Sequence, residues 1–358
     1  MNLKYKKIAI KLGSNVLAAK NGLPDKELMG KIVAQIAALR KQGVEIVLIS
    51  SGAVAAGRSI FPVNKKLDTI AQRQVFSSIG QVELIKIYTE LFASQQLYCS
   101  QVLVTREDFR SRTHYVNMKN CLSALLGNGI IPVINENDVV SVSELMFTDN
   151  DELAGMVASM LNMDALFILS NVDGVFNGDP KKEGTKVIPV LDAAKTDFSK
   201  FVVSSKSDFG RGGMITKCRN AQKIADLGIA VHIANGKNEF TIAELMKPEA
   251  PGTLFPPRKN TSNAKKWLSQ SANYVKGEII VNEGAKNALL SEQATSLLPI
   301  GVVKIKGSFE KGDIVKIKSE EGTSLGVGKA EYSSEKAIQR MGKQKHRALI
   351  HYDYLFLD

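Results

Sequence analysis

Residues that build staples and metal cages are scarce in this chain. Of 358 residues only three are cysteine, Cys99, Cys121 and Cys218, far apart and odd in number. That pattern excludes a disulfide framework or a cysteine zinc site and fits reduced, scattered thiols. Four histidines occur, His114, His232, His346 and His351, and none has ligand spacing. His346 and His351 are five apart, off a single helix face, so no metal site is expected. No run of 18 apolar residues is present, so no transmembrane helix is expected. The opening MNLKYKKIAIKLGSN is basic and then apolar, but Lys11 breaks the apolar stretch and no small-residue cleavage site follows. It reads as a buried first strand, not a signal peptide. Together these absences lead to the expectation of a cytoplasmic protein with no membrane partner. Also missing are G-x-x-x-x-G-K-[ST], G-x-G-x-x-G at the first helix and G-x-S-x-G. P-loop, dinucleotide-binding and serine-hydrolase chemistry lose their signatures with them.

What is present is globular. The chain is 44% hydrophobic and 23% charged, and its length suits two or three domains. The net charge is +11, from 47 basic and 36 acidic residues, which raises the question of anionic partners.

The first 255 residues alternate between strand-like and helix-like segments. Strands are predicted over Lys7–Lys11, Glu45–Ser50, Tyr98–Val104, Ile130–Asn135, Ala165–Ser170 and Ile229–Ala234. Each is short, apolar and rich in Val and Ile, as strands covered on both faces are. Between them, Leu28, Ile32, Ile36 and Leu39 fall at helical spacing after a cap at Asp25, and Gly43 stops the run. Further helices are predicted over Asp68–Gln96, Tyr115–Leu126, Asp151–Leu161, Met214–Asp226 and Phe240–Met246. The expected fold is α/β, a mostly parallel sheet sandwiched by helices.

Ala250–Asn263 collects three of the ten prolines among small polar residues and reads as a linker. Short alternating segments follow: Gly277–Val281, Val302–Ile305, Asp313–Ile317 and Leu349–Leu357. They suggest a small all-β module. The expected division is 1–255 for the α/β domain, 256–275 for the linker and 276–358 for the β module. Residues 256–358 hold 17 basic and 11 acidic residues, so the positive surplus is densest there.

Four polar segments follow predicted strands, where ligands of parallel sheets bind. Lys11-Leu12-Gly13-Ser14 places a lysine at a buried strand end beside a glycine that admits a ligand. Ser50-Ser51-Gly52-Ala53 is a small-residue turn whose N–H groups favour anions. Asn135-Glu136-Asn137-Asp138 and Thr148-Asp149-Asn150-Asp151 bring eight amide, carboxylate or hydroxyl side chains. Gly210-Arg211-Gly212-Gly213-Met214-Ile215-Thr216-Lys217 is a glycine-rich turn with a lysine one turn into a helix. Each alone also reads as an ordinary turn or a solvated loop.

In combination they resemble the glutamate 5-kinases of the amino-acid kinase superfamily. The resemblance rests on KLGSNVL at Lys11, SSGAVAAGR at Ser50–Arg58, PVINENDVV at Pro132–Val140, TDNDELA at Thr148–Ala154 and GRGGMITK at Gly210–Lys217. The tail, with GEIIVNEGA at Gly277–Ala285, SLLPIGV at Ser296–Val302 and a GDIVKI run, is similar to a PUA domain. The resemblance implies transfer of the ATP γ-phosphoryl group to the side-chain carboxylate of L-glutamate, the first step of proline synthesis. It implies Lys11, Lys217 and Asp151 as catalytic residues, the lysines facing phosphoryl oxygens and Asp151 holding them. Ser51, Gly52, Asn135, Asp138 and Asn150 fall on the glutamate site. Lys11, Gly13, Ser170, Asn171, Arg211, Gly212, Gly213, Met214, Ile215, Thr216 and Lys217 fall on the ATP site, with backbone N–H contacts from Gly13, Gly52 and Gly213. Mg²⁺ would bridge the phosphates with few protein ligands. Two departures stand out: Ser170-Asn171 where many relatives have Thr-Asp, and Arg211 where a small polar residue is common.

A carboxylate acceptor is already ionised at neutral pH, so the reaction needs no general base and no histidine. The resemblance further implies a homo-oligomer and hand-over of the labile product to a glutamyl phosphate reductase. Two alternatives compete. One is a sister phosphotransferase acting on aspartate, acetylglutamate, UMP or isopentenyl phosphate. The other is RNA binding by the basic tail, disfavoured because Tyr352, Tyr354 and Phe356 alternate as one face of a core strand does.

Overall fold

A computed structural model describes residues 3–19, 22–62, 67–110, 112–141, 147, 149–180, 182–192, 213–258, 275–291 and 295–357. The chain divides into two compact units, Met1–Asn260 and Thr261–Asp358. No described helix is long and apolar enough to cross a membrane.

Among the described residues, the sheet of the first unit has seven strands: β1 Lys7–Leu12, β2 Glu45–Ser50, β3 Cys99–Val104, β4 Ile131–Glu136, β5 Ala165–Ser170, β6 Ala230–Asn235 and β7 Thr253–Phe255. Their order in the sheet is β3-β4-β2-β1-β5-β6-β7. Six run parallel; β7 pairs antiparallel with β6 at the edge. Thr253–Phe255 therefore extends the sheet, although its Pro- and Gly-rich surroundings read as linker. Thr253 is fully buried there and donates to the Ile188 carbonyl. The linker residues from 259 to 274 lie outside the described residues.

Continuous apolar strands belong at the centre of such a sheet, and β1 is central. Ile8, Ala9, Ile10 and Leu12 are fully buried, with Ile10 level with Leu48 and Phe167 on the flanking strands. His232 on β6 lies in the same core. It accepts or donates one hydrogen bond with the Tyr5 hydroxyl at 2.9 Å and meets Phe167 edge-on. Burial pushes its pKa down to about 3, so it stays neutral.

The flanking helices are α1 Ser14–Leu17, α2 Lys26–Lys41, α3 Ala53–Ile60, α4 Thr69–Ser94, α5 Arg106–Arg110, α6 Arg112–Gly127, α7 Asn150–Leu161, α8 Met214–Asp226 and α9 Thr241–Leu245. Local chemistry explains their ends. Asp25 accepts from Leu28 N at 3.0 Å, Asp68 from Ala71 N at 2.8 Å, and Gly43 takes φ +85 beyond α2. Helix α7 is buried from Leu153 to Leu161, which its nearly all-apolar sequence permits. α3 and α4 cross backbone to backbone. A Cβ on Gly80 would stand 1.8 Å from the Ala53 carbonyl oxygen, and one on Gly57 1.8 Å from that of Phe76. Only glycine allows that approach.

The second unit has a five-stranded sheet: β8 Gly277–Val281, β9 Val302–Lys306, β10 Ile314–Ser319, β11 Ser324–Lys329 and β12 Leu355–Leu357, ordered β12-β11-β10-β8-β9. Ile279, Val281, Val315 and Ile317 pack on its inner face with Phe309, Leu349 and Ile350. Helices Glu283–Leu290 and Ser334–Arg340 make the unit less purely β than its sequence suggested. The predicted strand over Leu349–Leu357 is also corrected. Residues Tyr352–Tyr354 form a 3-10 turn, and only Leu355–Leu357 is strand. The Tyr352, Tyr354 and Phe356 alternation is therefore not one strand face; Tyr354 instead lies under the Lys329 ammonium.

Candidate active site

Strands β1, β2, β4 and β5 all end on one edge of the sheet, and their last residues carry the polar side chains picked out above. Leu12 is level with Ser50, which brings the Gly13 turn beside the Ser51-Gly52 turn. Gly52 takes φ +103 and leads into α3, a conformation that needs glycine. The first-turn N–H groups of α3 have no intrahelical acceptor.

The start of α7 organises the rest. Asp149 caps it through Oδ1, accepting from Asp151 N at 3.0 Å and Glu152 N at 2.9 Å. Successive residues at a helix start point about 100° apart. Asn150 accordingly reaches one way and Asp151 another. Asn150 Nδ2 donates to Ser51 Oγ at 2.8 Å, to the Ser50 carbonyl at 3.2 Å and to Asn135 Oδ1 at 3.2 Å. This one amide therefore joins the second and third polar segments. Asn135 in turn donates to Gln81 Oε1 on α4 at 2.9 Å.

Asp151 is fully buried between two ammonium groups. Lys11 Nζ lies 2.6 Å from Oδ1 and Lys217 Nζ 2.5 Å from Oδ2. Burial alone would raise the Asp151 carboxyl, but the two lysines outweigh it and hold it well below the usual carboxylate range. Burial lowers Lys11, with Asp151 opposing and Lys217 reinforcing the shift. Burial also works against Lys217, yet Asp151 outweighs it and raises that group. Two ammonium groups thus share one carboxylate, with the Asp149 carboxyl also acting on both, and this cluster of buried cations suits an incoming anion.

Gly213 precedes α8, and Met214, Ile215 and Thr216 form the first turn that carries Lys217 inward. Arg211 and Gly212 lie outside the described residues, as does Thr148. Ser170 ends β5 beside the Gly13 turn, with Asn171 next to it. Gly13 differs from expectation in one respect: its N–H donates to the Leu169 carbonyl at 3.2 Å, joining β1 to β5. A Cβ there would stand 3.7 Å from Lys11 Nζ, in ordinary contact with the lysine head.

Two residues of α4, Arg73 and Gln81, had no place among the candidates, and Glu136 and Asp149 were named there only as members of polar segments. Arg73 on α4 pairs with Asp138 and, at 3.2 Å, with Glu136. Glu136 also accepts from Phe147 N at 3.0 Å. Gln81 holds Asn135. Asp149 has Oδ2 buried with no hydrogen-bond partner among the described residues. Its carboxyl is raised, first by burial and then by Asp151. The signal available was the spacing of Arg73, Ser77 and Gln81 by four, which aligns polar groups on one helix face.

Residues 6–235 match the model of the amino acid kinase family, and residues 277–352 match that of the PUA domain. The chain is 49% identical to the glutamate 5-kinase of Bacteroides thetaiotaomicron over 100% of both chains. It is 46% identical to that of Chlorobaculum tepidum, over 99% of this chain and 98% of the relative. Among solved structures, a UMP kinase from Bacillus anthracis superposes with a TM-score of 0.50 at 17% identity, over 71% of this chain and 97% of its own. An isopentenyl phosphate kinase from T. acidophilum does so with a TM-score of 0.50 at 14% identity, over 70% and 99%. These two similarities speak to the fold alone.

Proposed function

The chain belongs to the amino acid kinase family and, within it, to the glutamate 5-kinases, and we propose that its site moves the γ-phosphoryl group of ATP onto the side-chain carboxylate of L-glutamate. The observation that carries this reading is the buried Lys11–Asp151–Lys217 arrangement, one residue along α7 from the Asn150–Ser51–Asn135 network. Phosphoryl transfer between two anions spreads negative charge over the equatorial oxygens. Preorganised cations facing those oxygens lower the barrier, and a strong base contributes nothing. Asp151 aims both ammonium groups. The N-terminus of α3 adds backbone donors. Ser51, Asn135, Asp138 and Asn150 hold the acceptor.

Both Asp151 oxygens are engaged by lysines, so this carboxylate holds cations of the protein and is not a metal ligand. That donor set fits Mg²⁺ carried on the nucleotide phosphates, where it would offset their charge. Ser170 and Asn171, with Arg211, Gly212, Gly213 and the first residues of α8 through Lys217, are assigned to the nucleotide. The product would be L-glutamyl 5-phosphate, at the head of proline synthesis in the cytoplasm. We extend the reading to a homo-oligomer and to hand-over of the labile product to a reductase; both rest on the family resemblance.

The UMP kinase and the isopentenyl phosphate kinase match only 71% and 70% of this chain, whereas the glutamate 5-kinase relatives match along the whole chain. An ADP-release assay with ATP and Mg²⁺ tests the choice. L-glutamate, aspartate, acetylglutamate, UMP and isopentenyl phosphate are offered in turn. Turnover with glutamate alone is expected; turnover with UMP and none with glutamate overturns the reading.

A further inference from the structure

The amino-acid end of the acceptor has no assigned cation. L-Glutamate carries a carboxylate and an ammonium on one carbon, so the groups that read them must be neighbours of opposite sign. Arg73 and Asp138 are such a pair, in direct contact. They lie at one end of a chain of contacts running from Asp151 through its neighbour Asn150 to Asn135 and the strand end at Glu136. The phosphoryl-facing lysines occupy the other end. Between them, among the described residues, lie the amides of Asn150 and Asn135 and the Ser51 hydroxyl.

Helix α4 is built to present this arginine. Arg73, Ser77 and Gln81 share one face; Gln81 binds Asn135, and Gln74 donates to the Val139 carbonyl at 2.6 Å. The helix thus grips the 135–139 segment at three points. Glu136, held by Phe147 N, anchors Arg73 at 3.2 Å. A guanidinium has five N–H donors in a planar fork, so it serves an internal carboxylate and an incoming one together. Its side chain is 20% exposed, against 6% for Glu136 and 9% for Asp138, which makes it the member a solute reaches first.

We propose that Arg73 receives the α-carboxylate of the acceptor, beside the Asp138 carboxylate that suits its α-ammonium, so that α4 selects α-amino acids over carboxylates that lack the α-carboxylate. The inference rests on the glutamate reading and deepens it. The test uses 4-aminobutyrate, which keeps the ammonium and the distal carboxylate of glutamate but lacks the α-carboxylate. Dissociation constants for L-glutamate come from calorimetry on the full chain, and those for 4-aminobutyrate from displacement of L-glutamate. Arg73→Met should weaken L-glutamate by about tenfold to a hundredfold, the range for a lost hydrogen bond to a charged group. It should leave 4-aminobutyrate within about threefold, so that the preference collapses. Arg73→Lys, which keeps the charge without the fork, should fall between. Equal weakening of both ligands would make Arg73 a structural clamp and overturn the proposal, as would unchanged glutamate binding. Circular dichroism checks the fold; if Arg73→Met is unfolded, the preference ratio of Arg73→Lys decides. A wild type that phosphorylates another acceptor and does not bind glutamate sinks the glutamate reading itself, a result distinct from an unchanged ratio.

Discussion

Lys11 and Lys217 are 7% and 17% exposed around one fully buried carboxylate. In the C-terminal unit, Lys304, Lys306, Lys316 and Lys318 share one face of the sheet with Glu278. The register sets Glu278 level with Lys306 and Lys316, and Ile280 level with Lys304 and Lys318. Lys318 pairs with Glu278, and Lys306 lies 4.0 Å from it. The same side chain at the same charge does different work in the two places. In the buried site each ammonium is largely stripped of water and depends on Asp151, so its position is set and its field is strong. On the sheet face, Lys318 and Glu278 keep 25% and 29% of their side-chain surface exposed, so water reaches the pair and weakens it. A count of basic residues, densest in the tail, therefore pointed away from the lysines that matter to the chemistry.

The largest expected effect breaks the comparison at its buried side. Lys11→Ala and Lys217→Ala should each lower kcat by about 10²–10³, the usual loss for one preorganised contact to transition-state charge. Steady-state kinetics on folded protein checks this, and a near-normal kcat for Lys217→Ala would remove it from catalysis. Next comes the other paired carboxylate. Asp138→Ala should raise KM for glutamate by about tenfold or more while KM for ATP stays put. A rise confined to ATP would move Asp138 out of the acceptor site.

His232 sharpens the contrast from a third direction, as a buried titratable group with no opposite charge beside it among the described residues. Its native pKa is about 3, below the ordinary 6.5. The unfolded chain therefore binds one more proton at any pH between those values, and stability falls as pH drops from about 6.5 toward 3. Between pH 7 and pH 5 this site should cost the wild type about 2 kcal/mol that His232→Leu does not lose. Urea unfolding of both proteins at the two pH values measures the difference, and parallel losses would contradict it. The smallest effect belongs to the exposed face. Lys318→Ala should leave both the melting temperature and the turnover of the full chain unchanged within error. A marked fall in either would mean that this face does more than stay solvated.

Much of this architecture was legible along the chain because its cause is local. Glu45–Ser50, Ala165–Ser170, Met214–Asp226 and Gly277–Val281 have the bounds their apolar runs and caps indicated. Asp25 and Gly43 close α2 by side-chain and backbone chemistry within a few residues. What escaped notice has a non-local cause. β11, SLGVGK, contains two glycines and no strong strand former beyond its Leu and Val. Those glycines are there because neighbours come close: a Cβ on Gly326 would stand 2.1 Å from the Phe356 carbonyl oxygen, and one on Gly328 2.5 Å from Ile350. Thr253–Phe255 looked like linker until β6 supplied hydrogen bonds for its backbone. Tyr352, Tyr354 and Phe356 alternated like a strand, but a 3-10 turn intervenes.

The site divides the same way. The residue types were evident: lysine at a strand end, small residues in a turn, amides and acids in two loops. They stand out in sequence because a parallel sheet collects its strand ends on one edge. The partnerships were not. That Asp151 takes both lysines, that Asn150 reaches Ser51 and Asn135, and that Arg73 faces Asp138 across 65 residues all depend on how α4 and α7 pack against the sheet. Backbone propensity and hydrophobic period act over a few residues and are written in the chain itself. A buried charge finds its counter-charge only when packing has removed the water between them, and that step belongs to the tertiary structure.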